Sequence, residues 1–145
     1  MNTPLRDILE RHENNLQLAT RRMLMAAPTW AEDVPLEAGV YVVWEGDLPI
    51  YVGETSCLKA RMSDIGRPVN HTFARKVCKA LLLSPTSLEE LAAAMRMRYT
   101  LSFATISYGR AEVEEYLVIR WQKTLVNKPA KRLLRSPQYD WVHAA

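Results

Sequence analysis

The stretch 39–61 constrains the fold of this chain more than any other part of the sequence. It contains two short apolar runs on either side of the acidic turn Glu45-Gly46-Asp47, and runs joined by such a turn predict a β-hairpin. Beyond the hairpin, Leu58, Met62 and Ile65 recur at helical spacing, which predicts a helix. The stretch therefore predicts a hairpin that leads directly into a helix, with Thr55 or Ser56 as the helix N-cap.

The register of the hairpin decides whether Tyr41 and Tyr51 lie on one face of the sheet. Side chains alternate along a strand, and opposed residues of an antiparallel pair point the same way. A two- or four-residue turn centred on Gly46-Asp47 puts the tyrosines on opposite faces, whereas an odd loop or a bulge pairs Val43 with Tyr51. We expect the three-residue loop 46–48 and both phenols on an open face. The side chains expected to pack against helices on the other face are Val40, Val42 and Trp44.

The rest of the chain alternates helical and strand patterns. An amphipathic pattern over about 3–25, with a break near Asn14-Asn15, predicts an N-terminal helix that braces the core or serves dimerisation or target choice. Further helices are predicted after His71, from the Ser87 capping box to Met97, and over about 111–125, with a strand over 99–106. This order predicts an α+β fold, a small antiparallel sheet of about three strands flanked by helices.

Length and composition favour one globular domain. A chain of 145 residues that is 48% apolar and 24% charged is long enough for a single core. No apolar run approaches the roughly 18 residues of a membrane span, so we expect a cytoplasmic protein without a membrane partner, and Cys57 and Cys78 as separate thiols. The predicted division is a helical extension and linker at 1–35, the core at 36–130 and a tail packed on the core at 131–145.

Charge is unevenly distributed around the net value of +3. Six basic residues accompany Asp64 alone in 57–88, and 116–139 contains no acid, whereas acids collect in 32–54. This segregation indicates a positive face for a polyanion, although solvated helix faces would explain part of it. The candidate nucleic-acid-binding residues are Lys59, Arg67, Arg75, Lys76, Lys123, Lys128, Lys131 and Arg132.

Five short motif elements are spread in order over most of the chain. They are Gly39-Val40-Tyr41, Tyr51-Val52-Gly53, the series Thr55, Leu58 and Arg61, then Glu115, and finally Asn127. Their identity and order resemble the motifs of the GIY-YIG nuclease family. Either tripeptide alone is a weak signal, whereas the ordered set is a specific one. The resemblance implies a GIY-YIG-like domain that hydrolyses phosphodiester bonds, in DNA rather than RNA as the first expectation, with Mg²⁺ or Mn²⁺ as cofactor.

The same resemblance implies roles for the motif residues. Tyr41 would activate or position the attacking water, and Tyr51 would orient the phosphate or the water network. A phenol has an ordinary pKa near 10, so Tyr41 as a general base requires a nearby cation. Arg61 presents a planar fork suited to two phosphate oxygens. Asn127 would hold the site or the substrate by hydrogen bonds, cap the preceding helix, or do both.

The metal ligand and a histidine complete the predicted site. Mg²⁺ binds carboxylate oxygens and keeps several waters, so one buried carboxylate is enough to anchor it. Glu115 is the candidate ligand, and Glu112, one turn earlier, is the fallback. Many family members carry a histidine shortly after the arginine, where this chain has Asp64 and Ile65. His71 either fills that role or is a capping or surface histidine, which keeps open an inactive nucleic-acid-binding module as the alternative function.

Overall fold

The computed structural model describes residues 3–127 and residue 141. Lys128, Lys131, Arg132 and the predicted tail at 131–145, apart from Trp141, lie outside the described residues. The elements in chain order are α1 (Thr3–Leu18), β1 (Arg22–Met23), β2 (Gly39–Glu45), β3 (Leu48–Thr55), α2 (Leu58–Asp64), α3 (Thr72–Ala80), α4 (Leu88–Arg98), β4 (Thr100–Thr105) and α5 (Arg110–Arg120). None of the described helices is both long enough and apolar enough to span a bilayer.

The strands form one antiparallel sheet in the order β1-β4-β2-β3. This confirms the predicted α+β class. The sheet has four strands in the described residues rather than about three, because the two-residue β1 pairs with the outer side of β4. So short a strand has no periodicity that a sequence pattern could reveal. The predicted N-terminal helix is confirmed as α1, but it runs unbroken through Asn14-Asn15 and ends at Leu18 rather than near residue 25.

The sheet separates two apolar clusters and has helices on both faces. Tyr41 and Val43 of β2 pack in the cluster of α2, α3 and α4. The alternate β2 residues pack in the cluster of α1 and α5, as predicted for Val40, Val42 and Trp44. The expected open face for the tyrosines is wrong, because three helices cover it and leave Tyr41 1% and Tyr51 8% exposed.

The β2–β3 hairpin puts both tyrosines on one face by means of a bulge. Val43 pairs with Tyr51, as predicted, but Trp44 pairs with Pro49, so Ile50 is the extra residue. The expected three-residue loop is wrong, since Glu45 pairs with Leu48 across a two-residue turn. Pro49 has no N–H to donate to the ladder, which makes this a suitable place for the irregularity.

Several predicted helix ends are displaced. The N-cap of α2 is Cys57 rather than Thr55 or Ser56, and Thr55 Oγ1 instead accepts the Cys57 N–H at 3.1 Å. The helix α5 ends at Arg120, with Trp121 as its C-cap, several residues before the predicted end. Asn127 is therefore not the cap of this helix, and the chain after Arg120 is available to follow the sheet edge.

The outward backbone groups of edge strand β3 bond to side chains and backbone of the same chain. A row of unpaired strand groups would otherwise need water or another strand. The contacts are Thr124 Oγ1 to Pro49 O at 2.6 Å, Val126 N to Ile50 O at 2.8 Å, Asn127 to the N–H and C=O of Val52 at 3.0 and 2.8 Å, and Glu54 N to Glu114 Oε2 at 3.0 Å. The edge is thus held against α5 and the segment after it.

Both motif glycines make room for close neighbours. A Cβ on Gly39 would lie 2.2 Å from the carbonyl oxygen of Ala104, so the bare Cα of this residue allows β4 to approach closely. A Cβ on Gly53 would lie 2.2 Å from Cζ of Tyr41. Gly53 is paired directly with Tyr41, so the absence of a side chain at Gly53 leaves the space that the Tyr41 ring occupies.

We expect Gly53→Ala to lower the free energy of unfolding by about 1–3 kcal/mol, because the buried Tyr41 ring must move. Chemical denaturation measures this directly. Gly66→Ala is the matched control, since its Cβ would meet Cε of Met25, the far end of a flexible side chain, at 2.5 Å. Equal losses in the two variants would contradict the proposed fit between Gly53 and the Tyr41 ring.

Candidate active site

Three aromatic side chains meet where β2, β3 and the start of α3 come together. The Oη of Tyr41 lies 2.7 Å from Nε2 of His71. The ring of Tyr51 has its centroid 6.3 Å from that of Tyr41 and 5.4 Å from that of His71. The structure therefore brings together the two motif tyrosines and the histidine for which the sequence left two roles open.

His71 is a buried N-cap residue, and this position fixes its tautomer. Its Nδ1 accepts the Phe73 N–H at 3.1 Å at the start of α3, so Nδ1 carries no proton. Burial and the nearby charges of Arg61 and Arg75 lower the pKa of His71 to about 3, so the ring is neutral at pH 7. A neutral imidazole without a proton on Nδ1 has it on Nε2. His71 therefore donates to the Tyr41 oxygen and cannot take the phenol proton while it caps the helix.

Arg61 extends from α2 to the same group of side chains. A hydrogen bond from Arg61 and its positive charge both act to lower the pKa of Tyr41. Its Nη1 also donates to the Asn70 carbonyl at 3.0 Å and lies 3.8 Å from the Asp64 carboxylate. The side chain is 29% exposed, so the guanidinium lies between the buried phenol and a surface that a phosphate can reach.

Both tyrosines are protonated at neutral pH. Burial is the main cause that raises the pKa of Tyr41, with a contribution from Tyr51, and Arg61 offsets it only in part. Burial and then the Glu114 carboxylate raise the pKa of Tyr51 against the charges of Arg61 and Arg75. In the protein alone, the two phenols are thus hydrogen-bond donors rather than bases.

Glu114 is a site residue that the sequence reasoning missed. Its charge raises the pKa of both Tyr41 and Tyr51, and its Oε2 accepts the Glu54 N–H at the β3 edge. The predicted ligand Glu115 is the next residue, about 100° further round the helix, and is 7% exposed. The apolar stripe of α5 is the one available signal, because it fixes the direction of each glutamate once the first residue of the helix is known.

The oxygen donors around Glu114 fit a hard divalent cation. No group of three or more His, Cys, Asp or Glu side chains that could hold a metal ion occurs within 3–127. A magnesium ion that keeps most of its waters needs only one or two carboxylates. A carboxylate whose charge acts on Tyr41 and Tyr51 is an oxygen ligand of the preferred kind, so Glu114 would be a candidate to hold Mg²⁺ or Mn²⁺ in addition to the predicted ligand Glu115.

Asn127 holds the strand that carries Tyr51. Its amide oxygen accepts from the N–H of Val52 and its amide nitrogen donates to the Val52 carbonyl. Val52 is the middle residue of the second motif tripeptide. Of the roles expected for Asn127, this geometry corresponds to holding the site, since the amide is engaged with the backbone rather than directed at a substrate.

Three of the predicted basic residues are anchored by hydrogen bonds to backbone carbonyls. Arg75 donates to the Pro68 carbonyl at 2.8 Å, Lys76 to that of Val126 at 2.5 Å and Lys59 to that of Glu32 at 2.9 Å. Arg67 and Lys123 are exposed, as are the anchored Lys59 and Arg75. The anchored cations also shape loops, so their charge is presented from fixed positions.

Comparisons of this chain with models of known protein families, with characterised proteins and with solved structures find no match. The case for a function thus rests on the arrangement of Tyr41, His71, Arg61, Tyr51 and Glu114. That arrangement combines a phenol that accepts from His71, a partly exposed guanidinium and a carboxylate.

We expect His71 to make stability depend on pH. Its pKa is 6.5 unfolded and about 3 folded, so the unfolded state binds more protons between these values and stability falls as pH drops through this window. At pH 5 the loss relative to pH 8 is about 2 kcal/mol from this residue, at about 1.4 kcal/mol per pKa unit. Denaturation at several pH values measures it.

The matched variant is His71→Asn, which retains a side chain able to cap α3 but does not titrate. Carboxylates titrate in both proteins, so the difference between them isolates His71. Equal pH dependence in the two proteins would contradict a neutral, buried His71.

Proposed function

We propose that this chain is a metal-dependent endonuclease that hydrolyses phosphodiester bonds in DNA and is related to the GIY-YIG nucleases. One observation carries the proposal. The Tyr41 oxygen accepts the His71 Nε2–H at 2.7 Å beside the guanidinium of Arg61 and within the electrostatic influence of Glu114. These groups supply what phosphodiester hydrolysis needs, namely an oriented water, positive charge at the phosphate and a carboxylate for a metal ion.

Arg61 and Tyr51 suit the phosphate. The guanidinium can donate to two phosphate oxygens at once, and its bond to the Asn70 carbonyl fixes its position beforehand. The raised pKa of Tyr51 keeps its phenol a donor, which can bond to a third oxygen or to a water. Binding energy is thus available where negative charge increases in the transition state.

Tyr41 suits the attacking water. Because its oxygen accepts from His71, its own hydrogen must point away from His71, and a water or a phosphate oxygen can receive it. If the phenol loses its proton, the donors on His71 and Arg61 stabilise the resulting anion. Tyr41 therefore positions the water in its protonated form and becomes a base only when further positive charge lowers its pKa.

Glu114 would hold the metal ion in this proposal. A bound Mg²⁺ or Mn²⁺ supplies Lewis-acid stabilisation of charge on the phosphate oxygens. The Glu54 N–H bonded to Oε2 orients the Glu114 carboxylate. Because Glu54 lies on the sheet edge, this bond keeps the carboxylate at a constant distance from Tyr41 and Tyr51. The edge of β3 therefore fixes the position of Glu114, the proposed metal-binding residue, relative to the two phenols.

A second candidate function is a nucleic-acid-binding module of the same fold without turnover. The observation that favours it is the depth of Tyr41, which is 1% exposed and has a raised pKa. Nicking of supercoiled plasmid DNA with Mg²⁺ or Mn²⁺ separates the two candidates. Product that depends on the metal supports the nuclease, and binding without product supports the module.

We expect Glu114→Gln to reduce nicking at least about 100-fold, because a metal ion supplies several kcal/mol of charge stabilisation. The glutamine oxygen can still accept the Glu54 N–H, so the fold should be retained. The controls are Glu112→Gln, which should stay active, and Glu115→Gln, which tests the sequence-based ligand. An active Glu114→Gln beside an inactive, folded Glu115→Gln would reverse the assignment.

We expect Tyr41→Phe to reduce the nicking rate about 100-fold or more, the usual contribution of a group that transfers or directs a proton. The phenyl ring still fills the space above Gly53, and DNA affinity in EDTA should be unchanged. Tyr99→Phe is the matched control, because Tyr99 is also buried in the same cluster, at 8% exposed, and its ring contacts Phe73. Full activity of Tyr41→Phe would exclude a role for the phenol oxygen.

A further inference from the structure

The loop between α2 and α3 displays an apolar side chain beside the candidate site. Val69 is 84% exposed, whereas Pro68 before it and His71 after it are buried. A valine gains nothing for folding in such a position, because burial is what makes apolar side chains stabilising. Because Pro68 and His71 are both buried, they fix the course of the loop and hold the Val69 side chain outward.

Hydrogen bonds hold this loop in one shape. Arg75 donates to the carbonyls of Pro68 and Val69 at 2.8 and 3.4 Å, and Arg61 donates to that of Asn70 at 3.0 Å. The N–H groups of Asn70 and His71 both bond to the Arg67 carbonyl at 3.0 Å. Three successive carbonyls thus face guanidinium groups, which leaves the Val69 side chain directed to solvent.

The loop and the candidate site share two residues. Arg61 donates to the loop at Asn70 and its charge lowers the pKa of the Tyr41 phenol, and His71 ends the loop and donates to Tyr41. Val69 is two residues from His71, so their Cα atoms are within about 7.6 Å. Arg61 is bonded to Asn70, the residue after Val69, so a DNA strand with a phosphate at Arg61 would pass this loop.

We propose that Val69 is a substrate contact that packs on the base edges or sugars of duplex DNA next to the cleaved phosphate. The inference rests on the proposed function and extends it from chemistry to substrate choice. Phosphate contacts position a protein on DNA, whereas apolar and hydrogen-bonding contacts to base edges carry sequence preference. The neighbouring exposed Arg67 supplies the phosphate contact, and Val69 supplies the apolar one.

The test measures binding of the full chain to a duplex DNA of about 20–30 base pairs in EDTA, over a series of salt concentrations. We expect Val69→Ala to weaken binding about three- to tenfold, the loss of one small apolar contact, with the slope of log K against log salt unchanged. Arg67→Gln should reduce that slope by about 0.9, the value for one phosphate contact. Met97→Ala, which removes an 86% exposed apolar side chain from the end of α4, should change neither quantity.

The outcomes separate this inference from the proposed function. Wild-type affinity in Val69→Ala, or a loss equal to that of Met97→Ala, would overturn the contact while DNA binding and nicking by the wild type stand. A weakened Val69→Ala with a reduced salt slope would mean that the loop moved and would also overturn it. A wild type that neither binds nor cuts DNA would overturn the proposed function and this inference together. Thermal unfolding of each variant verifies that it is folded.

Discussion

The hydrogen-bonded series Phe73 N–H to His71 to Tyr41 connects the start of α3 to the centre of the sheet. Because the helix takes Nδ1, the histidine must present Nε2–H to the phenol. One imidazole thereby completes a helix end, fills a buried space and sets the direction of the Tyr41 hydrogen. Arg61, Arg75 and the loop before α3 are arranged around it, so local helix capping and the geometry of the candidate site are one and the same constraint.

Much of the fold could be predicted because its elements have strong local signals. The central strand β2 has the alternation expected of it, and the parity of residue numbers between Tyr41 and Tyr51 predicted that Val43 faces Tyr51. The form of the connection could not be predicted in the same way. An odd loop and a bulge give the same register, and the choice depends on how Pro49 fits at the strand end, which is a tertiary matter. The helices that cover the tyrosine face also follow from long-range packing, which periodicity does not describe.

The sequence predicted the types of residue at the candidate site more accurately than it predicted each individual residue. Tyr41, Tyr51 and Arg61 lie together as the motif order indicated, and the structure adds Glu114, whose charge acts on both phenols, to the predicted ligand Glu115. A difference of one residue is about 100° on a helix, so the choice needed the position of α5 against the β3 edge. Asn127 likewise has a clear partner only when the fold is known, since Val52 is 75 residues away in sequence. His71 had no periodic signal at all, because its contact with Tyr41 depends on the loop held by Arg61 and Arg75.

The bulge at Ile50 decides which face of the sheet Tyr51 occupies. Regular pairing of the same residues across the two-residue turn would put Ile50 opposite Val43 and turn Tyr51 from the cluster of α2–α4 to that of α1 and α5. Deletion of Ile50 would instead leave Tyr51 opposite Val43, because the bulge and its extra residue would be lost together. Among natural variants of this sequence, a one-residue deletion that removes the bulge should therefore be tolerated, with Tyr51 still on the face of Tyr41.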